Sequence, residues 1–558
     1  MMGIFNNSVR RNFGAPPLWI AAAFAVFAAS AGLWSLPPID RDESRFAQTT
    51  AQMIESGEYL VIRYQDQERN KKPAGVYWLQ AASVSLFSDV EKREIWAYRI
   101  PSVLGAVLAS IFTFLCAQRL YDQRTAFLAA LLIASAPLLS VEASVARTDS
   151  ILLAFICLAQ YAFIEIYARI QEGRTKSWRW PIIFWIAQSA GIFIKGPIAL
   201  LISVLTGIGL STSKPRFQWI TPLRPIMGIF ILVILISPWA MSINAATEGR
   251  FLSESMGGDM LGKLANAQEN HAGPPGYHTL FVWVLFWPAA ALLAPGLFHI
   301  WRERNTWQAR FLIAWVVPGW IVFELTATKL PHYVLPVFPA LAIIAARAAV
   351  RHFAPDAAFV RPGALLYAFV SLVAGGFVLA FPMYLQEMSL VPWALPAAGM
   401  IAIAGLYIAT LFWRGRAYSG GIAACFLAAF FSWTVLDGIF PRLSTFTIAP
   451  RLSTALEKFE SHSLKNGAPP VAIAGYSEPS AVFLLGTKTI LTTGADAASR
   501  LATGEISAAI IERKEQDYFL SQAAAMQTEV DALAVIDGVN YSNGKSVSLS
   551  IYVRDPSP

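Results

Sequence analysis

Residues 181–212 read PIIFWIAQSAGIFIKGPIALLISVLTGIGLST. The run is apolar except near Lys195-Gly196-Pro197. It is too long for one crossing helix, which needs roughly 20 residues. Proline breaks a helix, and an ammonium within hydrocarbon is costly. The stretch therefore predicts two short spans turning at a membrane boundary, with lysine in the turn. On this reading the chain is a mainly α-helical, multi-pass membrane protein.

Composition agrees. Of 558 residues, 56% are hydrophobic and only 14% charged, against about 25% charged in soluble domains. Apolar runs near 17–37, 97–118, 125–142, 149–168, 225–243, 277–298, 311–327, 333–350, 363–384, 391–413 and 418–438 join the two short spans to give about thirteen crossings. The first follows Arg10 and Arg11 without a clear cleavage site and reads as a retained anchor. Cys116, Cys157 and Cys425 lie unpaired in apolar stretches and read as small core hydrophobes. The net charge of +7 comes from basic loops and gives no case for nucleic-acid binding.

Alternate loops hold most of the arginine and lysine: Arg119/Arg124, Arg169/Arg174, Arg216/Arg224, Arg302/Arg304 and Arg414/Arg416. Positive loops stay cytoplasmic. The other face then carries the long loop 38–96, the turn 143–149, the loop 244–276 and a C-terminal region from about 440. This divides the chain into a membrane domain, 1–439, and an outer α/β domain, 440–558. In the latter, Val471–Ala474, Val482–Leu485, Ala508–Ile511 and Val547–Val553 read as strands and 514–532 as helix.

The outer face collects the chemistry-bearing residues. Asp42 and Glu43 open a helix pattern that stops at Gly57, read as lying on the membrane surface. They are either acids compatible with the helix dipole or a base or metal ligand at a cavity mouth. A second surface helix starts at Pro73, after Lys71 and Lys72. Tyr77 and Trp78 on it suit an aromatic belt or a substrate platform. Arg147 and Asp149 cap a span as an ion pair or a functional pair. Glu324, Lys329, His332 and Tyr333 flank another outer turn, and His271 lies in a Gly/Pro-rich loop. Lys72, Lys195 and Lys329 each precede a proline where a helix is expected to begin. A helix start disfavours a cation unless an anion is bound there. Lys214-Pro215, Arg224-Pro225 and Arg361-Pro362 repeat the pair on the inner face. The outer lysines differ in having carboxylates and histidines beside them.

In order along residues 15–345, Asp42-Glu43-Ser44-Arg45, Lys72-Pro73, Arg147-Thr148-Asp149, Lys195-Gly196-Pro197, Ser237-Pro238-Trp239 and Lys329-Leu330-Pro331-His332-Tyr333 resemble the polyprenyl-phosphate-dependent membrane glycosyltransferases of the GT-C class. The resemblance is nearest to the lipid A aminoarabinose transferases and protein O-mannosyltransferase-like relatives. Two positions depart from the pattern: Lys71 stands where the family often has a metal-associated Glu, and Ser44 where a proline is usual. The resemblance implies inverting transfer of a sugar from a polyprenyl-phosphate donor to an envelope lipid of the lipid A type. The expected setting is the periplasmic face of a bacterial inner membrane. It implies Asp42, Glu43 and Asp149 as catalytic residues, and Lys72, Lys195, Lys329, Arg45 and Arg147 around the donor phosphate. Tyr77, His271, His332 and Tyr333 become substrate or loop contacts. A divalent metal, with His271 and Asp42 as ligands, stays open. A protein or glycan acceptor is the alternative within the class; a lipid or solute transporter is the alternative outside it. Transporters place their ionisable groups near the midplane, often between repeats, and neither pattern is seen in this sequence.

Overall fold

A computed structural model describes residues 16–174, 177–212, 216–255, 273–351 and 359–554. Among these, eight helices are long and apolar enough to cross a membrane. The pairs Gln123–Ala134 with Pro137–Ala143 and Tyr277–Leu285 with Trp287–Arg302 are bent by 60° and 90°, and give ten spans if each pair crosses once. The apolar run 181–212 lies in two helices, Arg179–Lys195 and Ile198–Leu210. The turn between them needs Gly196, whose φ of 76° is a left-handed value that glycine adopts at little cost.

Helices Ile95–Leu120 and Asp149–Gln171 pack closely. At their contact a Cβ on Gly105 would lie 2.6 Å from the Ile151 backbone nitrogen. Glycine there sets the height at which the second helix begins, and so the position of Asp149. Two surface helices, Asp42–Ser56 and Gly75–Phe87, lie over this end of the bundle. Thr50 Oγ1 donates to Gln80 Oε1 at 2.8 Å, and Gln80 Nε2 donates to the Ala146 carbonyl at 3.1 Å. The surface helices are thereby tied to the turn before Asp149. Between them, β1 (Arg63–Tyr64) and β2 (Gln67–Glu68) form a small hairpin.

The C-terminal region is α/β, as expected. Its sheet contains β3 (Val471–Ala474), β4 (Ile490–Thr492), β5 (Ala508–Glu512), β6 (Val530–Asn540) and β7 (Lys545–Arg554) in the order β4-β3-β5-β7-β6. The first three are parallel and the last two pairings antiparallel. Alternate residues of β3 and β5 face two cores, as a sheet covered on both sides requires. Two local readings change. Val482–Leu485 belongs to a helix, Pro479–Leu485, because Pro479 supplies a helix start. The helix expected over 514–532 ends at Ala525, and β6 takes over at Val530.

This domain docks on the surface helices. Phe483 packs edge-on to Tyr98, 5.3 Å between ring centres. Thr487 Oγ1 donates to Glu55 at 2.6 Å, and Gln48 donates to Thr487 at 2.7 Å.

Candidate active site

The site is organised by the strained turn that opens the first surface helix. Arg41 has φ 56° and ψ −85°, a conformation a non-glycine residue holds only when its surroundings impose it. Glu43 is one such constraint. It is fully buried beside the equally buried Arg99. Its Oε1 accepts from Arg99 Nε at 2.8 Å and the Ala146 N–H at 2.7 Å; its Oε2 accepts from Arg99 Nη2 and the Ile39 N–H, both at 2.8 Å. Arg99 also donates to the Leu36 and Pro37 carbonyls. Glu43 thus locks the loop, the surface helix and the Asp149 turn together, with both oxygens engaged.

Asp42, next to it, is exposed. Burial against the surrounding elements would raise its carboxyl, yet Arg147, Arg69, Arg45 and Lys195 outweigh that and hold it below the usual carboxylate range. It is therefore ionised at neutral pH. Among described residues no carboxylate lies within 4.0 Å of Arg45, Arg69 or Arg147. Arg147 Nε is buried without a hydrogen-bond partner among the described residues. These cations face Asp42 without being closed into ion pairs among the described residues.

Deeper in, Lys195 Nζ donates to Asp149 Oδ1 at 2.6 Å. His332 spans two acids, with Nε2 3.9 Å from Asp149 Oδ1 and Nδ1 3.6 Å from Glu142 Oε1. The other Glu142 oxygen is buried without a hydrogen-bond partner among the described residues. Asp42, Arg147, Asp149, Lys195 and His332, all singled out in the sequence, thus lie near one another. Glu142 and Arg69 were missed. An acid inside an apolar run was a usable signal for Glu142; nothing in the polar Glu68-Arg69-Asn70 stretch marked Arg69.

Two of the three lysines serve the end of the preceding helix, not the start of the next. Lys195 is the last residue of its helix. Lys329 is buried and donates to the Glu324 and Thr326 carbonyls at 2.6 and 2.8 Å, closing the end of helix Trp307–Leu325. Helix C-termini favour cations through their free carbonyls, so neither lysine needs an anion to be stable. Lys329→Met therefore lowers stability, by about 1.5–3 kcal/mol per charged hydrogen bond lost. A thermal melt in detergent checks this, and an unchanged midpoint contradicts it. Lys72 sits half-buried in the turn before helix Gly75–Phe87.

Tyr77 is fully buried. Its hydroxyl accepts from Arg69 Nε at 3.3 Å, and its ring lies 5.3 Å from Phe46, over which the Arg69 guanidinium is stacked at 5.5 Å. It is a support for Arg69. Tyr333 is half-buried with its ring 5.2 Å from His332. His271 lies outside the described residues. Among described residues no three His, Cys, Asp or Glu side chains are grouped to hold a metal, and the ring of cations about Asp42 is the wrong environment for a divalent ion.

Comparison with known proteins fits this geometry. Residues 71–241 match the family model described as dolichyl-phosphate-mannose-protein mannosyltransferase. Over 345 residues the chain is 27% identical to undecaprenyl phosphate-alpha-4-amino-4-deoxy-L-arabinose arabinosyl transferase 1 of Pseudomonas fluorescens, covering 60% of this chain and 59% of that one. The corresponding transferase of Pectobacterium atrosepticum is 27% identical over 318 residues, 56% of this chain and 55% of that one. The matched stretch thus spans a little over half the length of these relatives. The crystal structure of ArnT from Cupriavidus metallidurans bound to undecaprenyl phosphate superimposes with a TM-score of 0.76 at 18% identity, over 96% of this chain and 97% of that one. Its apo form gives 0.72 at 19% identity, with the same coverage. The chain therefore has the fold of ArnT, a likeness that runs over nearly the whole of both chains.

Proposed function

We propose that this chain moves a sugar from a polyprenyl-phosphate donor to an envelope lipid acceptor of the lipid A type. The reading places the reaction at the periplasmic face of a bacterial inner membrane, with inversion at the anomeric carbon. The observation that carries it is an ionised, accessible Asp42 ringed by Arg45, Arg69, Arg147 and Lys195. In such a transfer the bond from the anomeric carbon to the phosphate oxygen breaks, and an acceptor oxygen takes its place. Negative charge collects on the departing lipid phosphate. Preorganised cations at a water-poor boundary are suited to stabilise it. Arg147 and Arg69 are the leading candidates, with Arg45 beside them; Lys72 is added from the motif it shares with the GT-C class. Lys195 fixes Asp149 as well as contributing charge. If the acceptor is a hydroxyl, Asp42 takes its proton; if it is a phosphate already ionised, Asp42 orients the sugar. Glu43 contributes by holding Asp42 in place.

Thirteen crossings follow if each bent pair counts once and Leu18–Ala29, Arg179–Lys195 and Ile198–Leu210 also cross. The positive-inside pattern then sets the site and the C-terminal domain outside, with the membrane domain ending near residue 439.

Purified protein in detergent, given a polyprenyl-phosphate-linked sugar and lipid A, tests the proposal against a transporter. Lys72→Ala is expected to cut transfer at least about 10-fold, the scale of one lost charged contact, with an unchanged melt. Near-normal transfer by the folded variant removes Lys72 from the phosphate site.

A further inference from the structure

The strained turn that presents Asp42 is gripped from both sides. Glu43 and Arg99 hold it from the membrane bundle. From the C-terminal domain, the Ser480 N–H donates to Asp40 Oδ1 at 2.9 Å, and the Asp40 N–H donates to the Tyr541 hydroxyl oxygen. Nearby, Glu478 is held by Asn540 Nδ2 at 2.7 Å. Tyr541 also packs edge-on against Phe446, 5.7 Å between ring centres. Asp40 is two residues from Asp42, with the strained Arg41 between them. A backbone held at an unfavourable conformation relaxes when a clamp is released. A displacement of about 1 Å at a reacting group costs of the order of 100-fold in rate.

We propose that the C-terminal domain is part of the catalytic apparatus: through Ser480 and Tyr541 it fixes Asp40, and Asp40 fixes the position of Asp42. Asp40, Ser480 and Tyr541 are positioning residues. The remaining dock, where Thr487 meets Glu55 and Gln48, is separate from this grip. The catalytic part of the inference rests on the transferase reading; the structural part does not.

Two readouts on full-length protein test this. Hydrogen exchange needs no substrate. Asp40→Ala and Tyr541→Phe are each expected to raise exchange in residues 38–45 at least several-fold, leaving helix Ile95–Leu120 unchanged; Asp40→Asn, which keeps the acceptor oxygen, stays near wild type. In the transfer assay, Asp40→Ala should lose about 10-fold or more in kcat with KM for the lipid-linked sugar within about 2-fold, and Asp40→Asn should recover most of it. Unchanged exchange in 38–45 in both Asp40→Ala and Tyr541→Phe overturns the proposal. So does wild-type kcat in a variant whose exchange has risen. If the exchange result holds but wild type transfers no sugar, the grip stands and the transferase reading fails.

Discussion

Asp42→Asn abolishes transfer to a hydroxyl acceptor, by at least about 100-fold and up to about 10,000-fold, the range spanned by general-base catalysis. The side chain keeps its size and hydrogen-bonding reach. What it loses is the negative charge that Arg147, Arg69, Arg45 and Lys195 maintain. Because Asp42 is exposed while Glu43 carries the buried ion pair, the variant should fold and melt like wild type. Binding of a polyprenyl phosphate should be equal or tighter, since one anion facing the phosphate is gone. With an acceptor that is already a phosphate the loss should be smaller, because no proton has to be removed. Full activity on a hydroxyl acceptor excludes Asp42 as the base.

Arg99→Ala has the largest expected effect on stability. It leaves the Glu43 carboxylate fully buried with its counter-ion missing, and releases the Leu36 and Pro37 carbonyls. Removing one partner of a buried ion pair costs about 3–5 kcal/mol. That is a large share of a marginal total, so yield and melting midpoint should both fall sharply. Glu43→Ala should do the same for the opposite reason, stranding Arg99. The pair replaced together, Glu43→Leu with Arg99→Met, removes both charges at once and should recover much of the stability. It should not recover transfer, because Glu43 also accepts from the Ile39 and Ala146 N–H groups that frame Asp42. A double variant with normal transfer would show that the lock is structural only.

Much of this was legible in the chain. The break at Lys195-Gly196-Pro197 falls where the two short helices meet, because run length and a Gly-Pro break are local signals. The surface helix from Asp42 to Gly57 was readable for the same reason. Asp42, Arg147, Asp149, Lys195 and His332 all stand at the ends of apolar runs, since charges avoid hydrocarbon, and the fold brings them near one another. What failed was finer. A lysine before a proline does not say which helix end it serves; Lys195 and Lys329 belong to the helix behind them, a matter of where the preceding helix stops. Two adjacent acids, Asp42 and Glu43, gave no hint that one would be open and the other sealed against Arg99, a partner far along the chain. Tyr77 reads as a platform until the packing of Phe46 and Arg69 is seen. Val482–Leu485 has a strand's composition and forms a helix, since Pro479 and the docking of Phe483 on Tyr98 decide it.

The central claim is that the cations about Asp42 serve breakage of a sugar–phosphate bond in a lipid. The most direct measurement is mass spectrometry of a detergent reaction containing the purified protein, a polyprenyl-phosphate sugar and lipid A. The account predicts lipid A heavier by one sugar residue, equimolar free polyprenyl phosphate, and neither product with Asp42→Asn when the acceptor is a hydroxyl. Donor left intact by wild-type protein that binds polyprenyl phosphate would contradict it.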